Sequence, residues 1–192
     1  MRILSCVAAA IVLATASLAA SADDRDADSW PTLGRDWKQS YYSPLTGINA
    51  DNIAQLGYAW GYDLQFTSTL EATPIVIDGV MYFPGRDRVE ALEADTGKQV
   101  WGTTNVTGLK FGASIHLTPN GDATFLFTDE GNLIIAQLNP ERYREISRVH
   151  LIEPTYQFGG RKVVWPLPAF ANQHVFARND KELICASLEA KP

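Results

Sequence analysis

The sequence predicts an all-β fold, a β-propeller assembled from blades that are four-stranded antiparallel meanders. Three observations lead there. Hydrophobic β-formers come in short runs separated by Gly, Pro, Asn or Asp. Asp-Gly and Asn-Gly pairs, the strongest short hairpin signals, fall between such runs. Three stretches repeat the same order of strands and turns at a period of ~40 residues, the form in which propeller blades appear in sequence.

The first stretch, 72–101, has strands at 74–77, 80–83, 89–94 and 98–101, with turns at Asp78-Gly79, 85–88 and Asp95-Thr96-Gly97. The second, 114–150, has strands at 115–118, 124–128, 133–138 and 144–148, with turns at Asn120-Gly121, 129–132 and Pro140. The third, 168–188, has strands at 169–171, 174–178 and 182–188, with turns near Asn172 and at 179–181. A β-sandwich or an open meander would show the same alternation; the matched turn positions favour blades. At ~40 residues each, the chain holds about three to four blades, a partial or small propeller. The third stretch lacks a fourth strand and would expose an unpaired edge. The strand-like segment 58–64 is expected to supply it by pairing with 182–188.

The amino-terminal part reads differently. Met1-Arg2, the apolar and small residues that follow, and Ala20-Ser21-Ala22 form a signal peptide over 1–22, which sends the chain to the periplasm or outside the cell. Cleavage removes Cys6 and leaves Cys185 alone, so no internal disulfide is expected. Residues 23–57 form a leader with one short helix at 48–57, capped by Asn49, stapled by Ile48 and Ile53 and ended by Gly57. No later apolar run is long enough to cross a bilayer. Apolar residues make up 46% of the chain and charged residues 20%, enough for a packed core. The net charge of −6, with no concentrated basic face, argues against a nucleic-acid partner.

Five segments in order then carry a resemblance: Trp30-Pro-Thr-Leu-Gly-Arg-Asp, Tyr42-Ser-Pro-Leu, Ile48-Asn-Ala-Asp-Asn-Ile-Ala-Gln-Leu-Gly-Tyr-Ala-Trp60, Leu70-Glu-Ala-Thr-Pro-Ile-Val, and Ala91-Leu-Glu-Ala-Asp-Thr-Gly-Lys-Gln-Val-Trp101. Together they resemble the amino-terminal part of the pyrroloquinoline quinone (PQQ) dependent alcohol dehydrogenases, and the last is similar to that family's tryptophan-docking pattern between blades. The stretch 114–188 resembles instead the carboxy-terminal blades of a secreted PQQ-like propeller repeat protein. The resemblance implies PQQ and a calcium ion on the propeller axis, with an alcohol losing a hydride to the quinone. It places Glu71, in Leu-Glu-Ala-Thr-Pro, against the cofactor, where a carboxylate accepts hydrogen bonds and orients it; a polar residue at a strand start is the plain alternative.

The sequence also departs from that family. Thr103-Thr104-Asn105-Val106-Thr107 stands where the family has a pair of adjacent cysteines. The general base and the calcium ligands, which the family takes from middle blades, have no counterpart that can be named. A hard cation needs about six oxygen ligands or more, whereas Asp78, Asp87, Asp95, Asp129 and Asp180 are spread over turns and read as turn formers. His116, His150 and His174 are too far apart in sequence to suggest one metal. Cys185 reads as a buried, inert thiol, and the five tryptophans as packing between blades. The expected function is therefore a periplasmic or secreted quinoprotein-type propeller, lacking much of the site and acting on a small alcohol. The alternative is a non-catalytic scaffold that binds a protein partner on exposed blade edges. A third possibility is a chain joined from the first and last parts of a longer ancestor near 103–113.

Overall fold

The structure, a computed structural model, describes residues 27–64, 72–85, 87–108 and 113–189. Within them the chain is almost entirely β, arranged as a series of antiparallel meanders that do not close into a ring. Blade 1 is the sheet β1(Ile75–Ile77), β2(Val80–Pro84), β3(Val89–Glu93) and β4(Gln99–Thr103), in that order. Blade 2 repeats it with β5(Ile115–Asn120), β6(Ala123–Thr128), β7(Asn132–Leu138) and β8(Tyr143–His150). After a two-stranded hairpin, β9(Tyr156–Phe158) and β10(Arg161–Val163), blade 3 follows as β11(Ala169–Ala171), β12(His174–Arg178) and β13(Leu183–Ser187).

Local chemistry explains the turns. Asp78 and Gly79 both have positive φ, as do Asn172 and Gln173, which is the two-residue hairpin geometry whose twist matches the strands. Between β5 and β6 the loop is Gly121-Asp122, because Asn120 still pairs with Ala123; only Gly121 has positive φ. Both complete blades carry a bulge at the same place. Ala91 pairs with Trp101 and Leu92 with Gln99; correspondingly, Ile135 pairs with Ser147 and Ala136 with Glu145. Ser147 thus stands in blade 2 where Trp101 stands in blade 1.

The core lies between the sheets. Ile75, Val80, Tyr82 and Ala91 of blade 1 pack with Leu117 and Leu138 of blade 2, and Val89 and Val106 join Ile115, Leu126, Ile134 and Ala136. On the other face of blade 2, Phe127 and Leu133 pack with Ile152, Val164, Val175 and Ala177. Two indoles lock the series. Trp101 Nε1 donates to the carbonyl of Asn139, at the β7–β8 turn, at 2.7 Å. Trp60 Nε1 donates to the carbonyl of Ala94, at the β3–β4 turn, at 3.0 Å. Under Trp60 lies Gly97, where a Cβ would come within 2.3 Å of the ring, so only glycine lets the indole sit down.

Three sequence expectations need correction. The short helix expected at 48–57 is reduced to a three-residue 3-10 helix, Ile53–Gln55. Asn49 Oδ1 accepts from the N–H of Asp51 and its carbonyl from that of Ile53, as a cap would, while Asn52 Oδ1 accepts from the N–H of Asn49 and the turn goes no further than Gln55. Ile48 and Ile53 are exposed and staple nothing. The segment 58–64 does not complete blade 3: Trp60 docks on blade 1, and the Tyr62 ring meets Phe83 edge-on at 6.1 Å. Cys185 is exposed rather than buried, because in the last strand Ile184 and Ala186 turn inward and Cys185 outward. The signal peptide expected over residues 1–22 lies outside the described residues.

Candidate functional site

In a meander whose strands alternate direction, the β2–β3, β6–β7 and β12–β13 turns share one end of the stack with the segments that lead into β1, β5 and β11. That end collects most of the buried polar residues: Asp87, Glu90, Thr107, Thr128, Asp129 and Asn179. Buried polar groups need partners, and here most find them within their own blade, while Thr107 reaches across to the next.

In blade 1, Arg88 Nε donates to Asp87 Oδ1 at 2.9 Å, and its Nη1 lies 3.6 Å from Glu90 Oε1. The Tyr62 hydroxyl reaches Glu90 as well; burial first, then Glu90, pushes its pKa up to about 12. In blade 2, Asp129 is 1% exposed. Its Oδ2 accepts from the Ser114 N–H at 3.1 Å and from the Arg161 guanidinium of the hairpin. The Val164 N–H donates to its carbonyl. Between the two blades, Thr107 Oγ1 donates to Glu130 Oε2 at 3.3 Å. The segment with threonines in place of adjacent cysteines is clamped by Arg148, whose Nη1 and Nη2 donate to the carbonyls of Val106 and Asn105. Arg148 also donates from Nε and Nη2 to both oxygens of Glu145. That pairing raises the Arg148 pKa and holds the Glu145 carboxyl below the usual carboxylate range.

The expected site residues separate on this scaffold. Glu71 lies outside the described residues. Asp87 and Asp129 sit on turns at the polar end and are buried there, Asp129 against Arg161 and Asp87 against the partly exposed Arg88. Asp78 and Asp95 belong to turns at the opposite end, and Asp180 is on the exposed β12–β13 turn. The three histidines stay apart: His116 Nε2 meets the carbonyl of Trp165, His150 lies between Asn132 and Glu153, and the His174 Nδ1 meets the carbonyl of Asn172. Among the described residues no three His, Cys, Asp or Glu side chains gather where one cation could be held. Three carboxylates for the calcium that the resemblance implies are therefore not gathered among them. Trp37 and Trp165 are exposed, at 75% and 39%, so packing between blades does not account for every tryptophan.

Sequence reasoning missed Arg148, Arg161 and the β9–β10 hairpin. For the hairpin a signal existed: Tyr156-Gln-Phe, then Gly159-Gly160 with both φ positive, then Arg161-Lys-Val. For the arginines no local pattern marked their place in the fold: Glu145 is three residues from Arg148, but the Val106 carbonyl is 42 away and Asp129 is 32 from Arg161.

Comparison with known proteins agrees with this architecture. The family model described as the PQQ β-propeller domain of glucose, ethanol and alcohol dehydrogenases matches residues 30–118. The quinohemoprotein alcohol dehydrogenase of Comamonas testosteroni is 45% identical over 73 residues, which are 38% of this chain and 10% of the relative. The 1-butanol dehydrogenase (cytochrome c) of Thauera butanivorans is 44% identical over 92 residues, 47% of this chain and 12% of the relative. The chain thus spans only about a tenth of the length of these relatives. Among solved structures, the quinohemoprotein alcohol dehydrogenase ADH-IIG of Pseudomonas putida superposes with a TM-score of 0.62 at 25% identity, covering 88% of this chain and 26% of that one. A europium-containing methanol dehydrogenase, at a TM-score of 0.64 and 18% identity, covers 85% of this chain and 31% of its own and shows the same fold. Among the described residues no helix is long and apolar enough to cross a membrane. Blade 1 and the segment that docks on it are, on these grounds, related to the PQQ β-propeller domain of the quinoprotein alcohol dehydrogenases.

Proposed function

We propose that this chain is an exported, periplasmic propeller protein of the quinoprotein type that takes part in the oxidation of an alcohol with PQQ, with Glu71 as a contact to the cofactor. The observation that carries the reading is the family match over residues 30–118, a span that contains Glu71 and all of blade 1. PQQ, when bound, supplies the hydride acceptor. The chain's own part is positional. Trp60 docks on the β3–β4 turn of blade 1 and Trp101 ties β4 to blade 2, so blade 1 is held as a unit, and Glu71 on this reading offers a carboxylate that accepts hydrogen bonds from the cofactor. The cation and the general base, on this reading, depend on groups other than the described residues, and the chain supplies a shortened share of a larger site.

Equilibrium dialysis of the full chain against PQQ, with and without calcium and beside Glu71→Gln, tests this. Saturable binding that weakens in the variant is expected; no binding by a folded chain would remove the enzyme reading. A second reading is a scaffold for a protein partner, favoured by β13, whose outer edge pairs with nothing among the described residues while Leu183 on it is 73% exposed. A folded chain that ignores PQQ yet binds an extended peptide along β13 would support that reading.

A further inference from the structure

The hairpin between blades 2 and 3 carries a set of side chains that neither packing nor the quinone reading uses. Tyr156 and Phe158 on β9 flank Trp165, with ring centroids 5.3 Å and 4.8 Å from the indole. Tyr156 is half exposed and Trp165 39% exposed, so together they present an aromatic wall to solvent. The wall faces a cleft of about 400 Å³, in the range that holds a small organic molecule. Its other side is the end of β12 and the turn after it, with Arg178, Asn179 and Asp180.

The wall and the rim are each held in place. The Trp165 carbonyl accepts from or faces His116 Nε2 at 3.0 Å, which ties the indole's backbone to β5. Val163 and Val164 on either side of that link are buried. On the rim, Asn179 Oδ1 accepts from the N–H groups of Lys181 and Glu182, its Nδ2 donates to the Glu153 carbonyl, and Thr155 Oγ1 accepts from the Asp180 N–H at 3.1 Å. The turn is therefore built, and the heads it presents are unequal in their commitments. Asp180 receives one long bond, from Thr155 Oγ1 to Oδ2 at 3.4 Å, and the Arg178 guanidinium has no hydrogen bond or ion pair among the described residues.

We propose that this cleft is a binding site for a neutral, polyhydroxylated ring, a pyranose sugar or a cyclic polyol of that size. Aromatic walls attract cations, but Arg178 in the same lining opposes one; Asp180 likewise opposes an anion. A flat aromatic ligand would stack, yet it would strip water from Arg178 and Asp180 without giving them partners. A pyranose satisfies both sides. Its C–H face lies on the indole and phenol, and its vicinal hydroxyls donate to Asp180 and accept from Arg178, charge-assisted bonds that a planar carboxylate and guanidinium form well. The site is built from residues 156–180, beyond the family match, and stands independently of Glu71 and of the quinone.

The test is saturation-transfer and ¹⁵N-correlation NMR on the full chain with methyl-β-D-glucoside, with p-cresol and tetramethylammonium as the aromatic and cationic rivals. Expected is saturable transfer to the ring C–H protons of the glycoside, a shift of the Trp165 indole N–H peak, and at least a tenfold loss of affinity in both Trp165→Ala and Asp180→Asn. Trp165→Phe, which keeps a stacking ring, should recover part of it, and unchanged far-ultraviolet circular dichroism separates lost binding from lost folding. The proposal is overturned if the glycoside gives no saturable signal, if Trp165→Ala binds it as the parent does, or if either rival binds more tightly.

Discussion

The two junctions in this stack join similar sheets by different means. Between blades 1 and 2, Trp101 spans the gap and donates to the Asn139 carbonyl, while Tyr82 packs against it with a centroid distance of 5.9 Å. Between blades 2 and 3 the equivalent position holds Ser147, exposed on β8, and no indole crosses. There the hairpin is drawn over the end of blade 2 by the Arg161–Asp129 pair and the Val164–Asp129 backbone bond, and Phe125 stacks on Phe170 at 4.5 Å. Stacking of sheets requires a filled space and satisfied polar groups at its rim; an indole provides both at once. Where it is missing, the two tasks fall to separate groups, a ring stack for the space and an ion pair for the rim. The junction built from separate parts depends on a charge that burial makes costly to leave alone.

The largest effect is therefore expected at Asp129. Asp129→Ala leaves Arg161 without its buried carboxylate and should cost about 3–5 kcal/mol in urea unfolding. The double variant Asp129→Leu with Arg161→Met, which removes both charges, should recover most of it. A loss in the double variant as large as in the single one would show that shape, and not the stranded charge, sets the cost. Next comes Trp101→Ala, expected to cost about 3 kcal/mol because it empties the space between blades 1 and 2 and strands the Asn139 carbonyl. Hydrogen exchange should rise first in β4 and β8 in that variant, and in β9 to β12 in Asp129→Ala. The same region opening in both would contradict two separate junctions.

Gly97→Ala sharpens the comparison at the upstream side of blade 1. A methyl there meets the Trp60 ring at 2.3 Å and also has to accept a φ of +68°. The expected cost is about 1–3 kcal/mol. Trp60→Ala in the same background should remove most of the additional penalty, since the obstacle is then gone, and a double-variant cycle measures it.

How far these junctions were legible in the sequence follows from their physics. Strands and hairpin turns are local, and Asp78-Gly79 and Asn172 marked theirs correctly because positive φ restricts the residues that fit. Trp101 was legible as a docking residue only through the resemblance of Ala91 to Trp101 to the tryptophan-docking pattern of the PQQ dehydrogenases. The helix in the leader was read too long, since Asn49 and Asn52 satisfy a cap pattern and a local turn equally well, and Ile48 and Ile53, both exposed, form no staple to extend it. The segment 58–64 was sent to the wrong blade because an unpaired edge in the sequence pattern carries no address, while Gly97 under Trp60 does. Of the candidate site, Asp87 and Asp129 were seen as turn residues, but their burial and their arginines are long-range facts. Arg148 and Arg161 could not be found from spacing at all.

The smallest expected effects are those of pH, and they fall unequally on the two junctions. Burial pushes the Tyr82 hydroxyl up to about 12, as burial and Glu90 do for Tyr62, and both belong to blade 1 or the segment docked on it. A group whose pKa is raised on folding contributes stability that is fully present below its unfolded value of 10 and is lost as pH rises towards 12. Blade 1 should therefore loosen between pH 10 and 12, Tyr82→Phe lessening the slope at its junction with blade 2 and Tyr62→Phe at the segment docked upstream. Acid acts through Glu145, whose carboxyl the Arg148 guanidinium holds below the usual range. That contribution is present above the ordinary Glu value of 4.5 and is lost as pH falls below it through the depressed one. Protonating Glu145 frees Arg148 from its carboxylate, so exchange at residues 105–107 should rise there, while Glu145→Gln shows the faster exchange already at neutral pH. Equal exchange in the parent and the variant at neutral pH would mean that the Val106 and Asn105 carbonyls hold Arg148 without help, and that the segment replacing the cysteine pair is fixed by its own buried Val106 and Thr107.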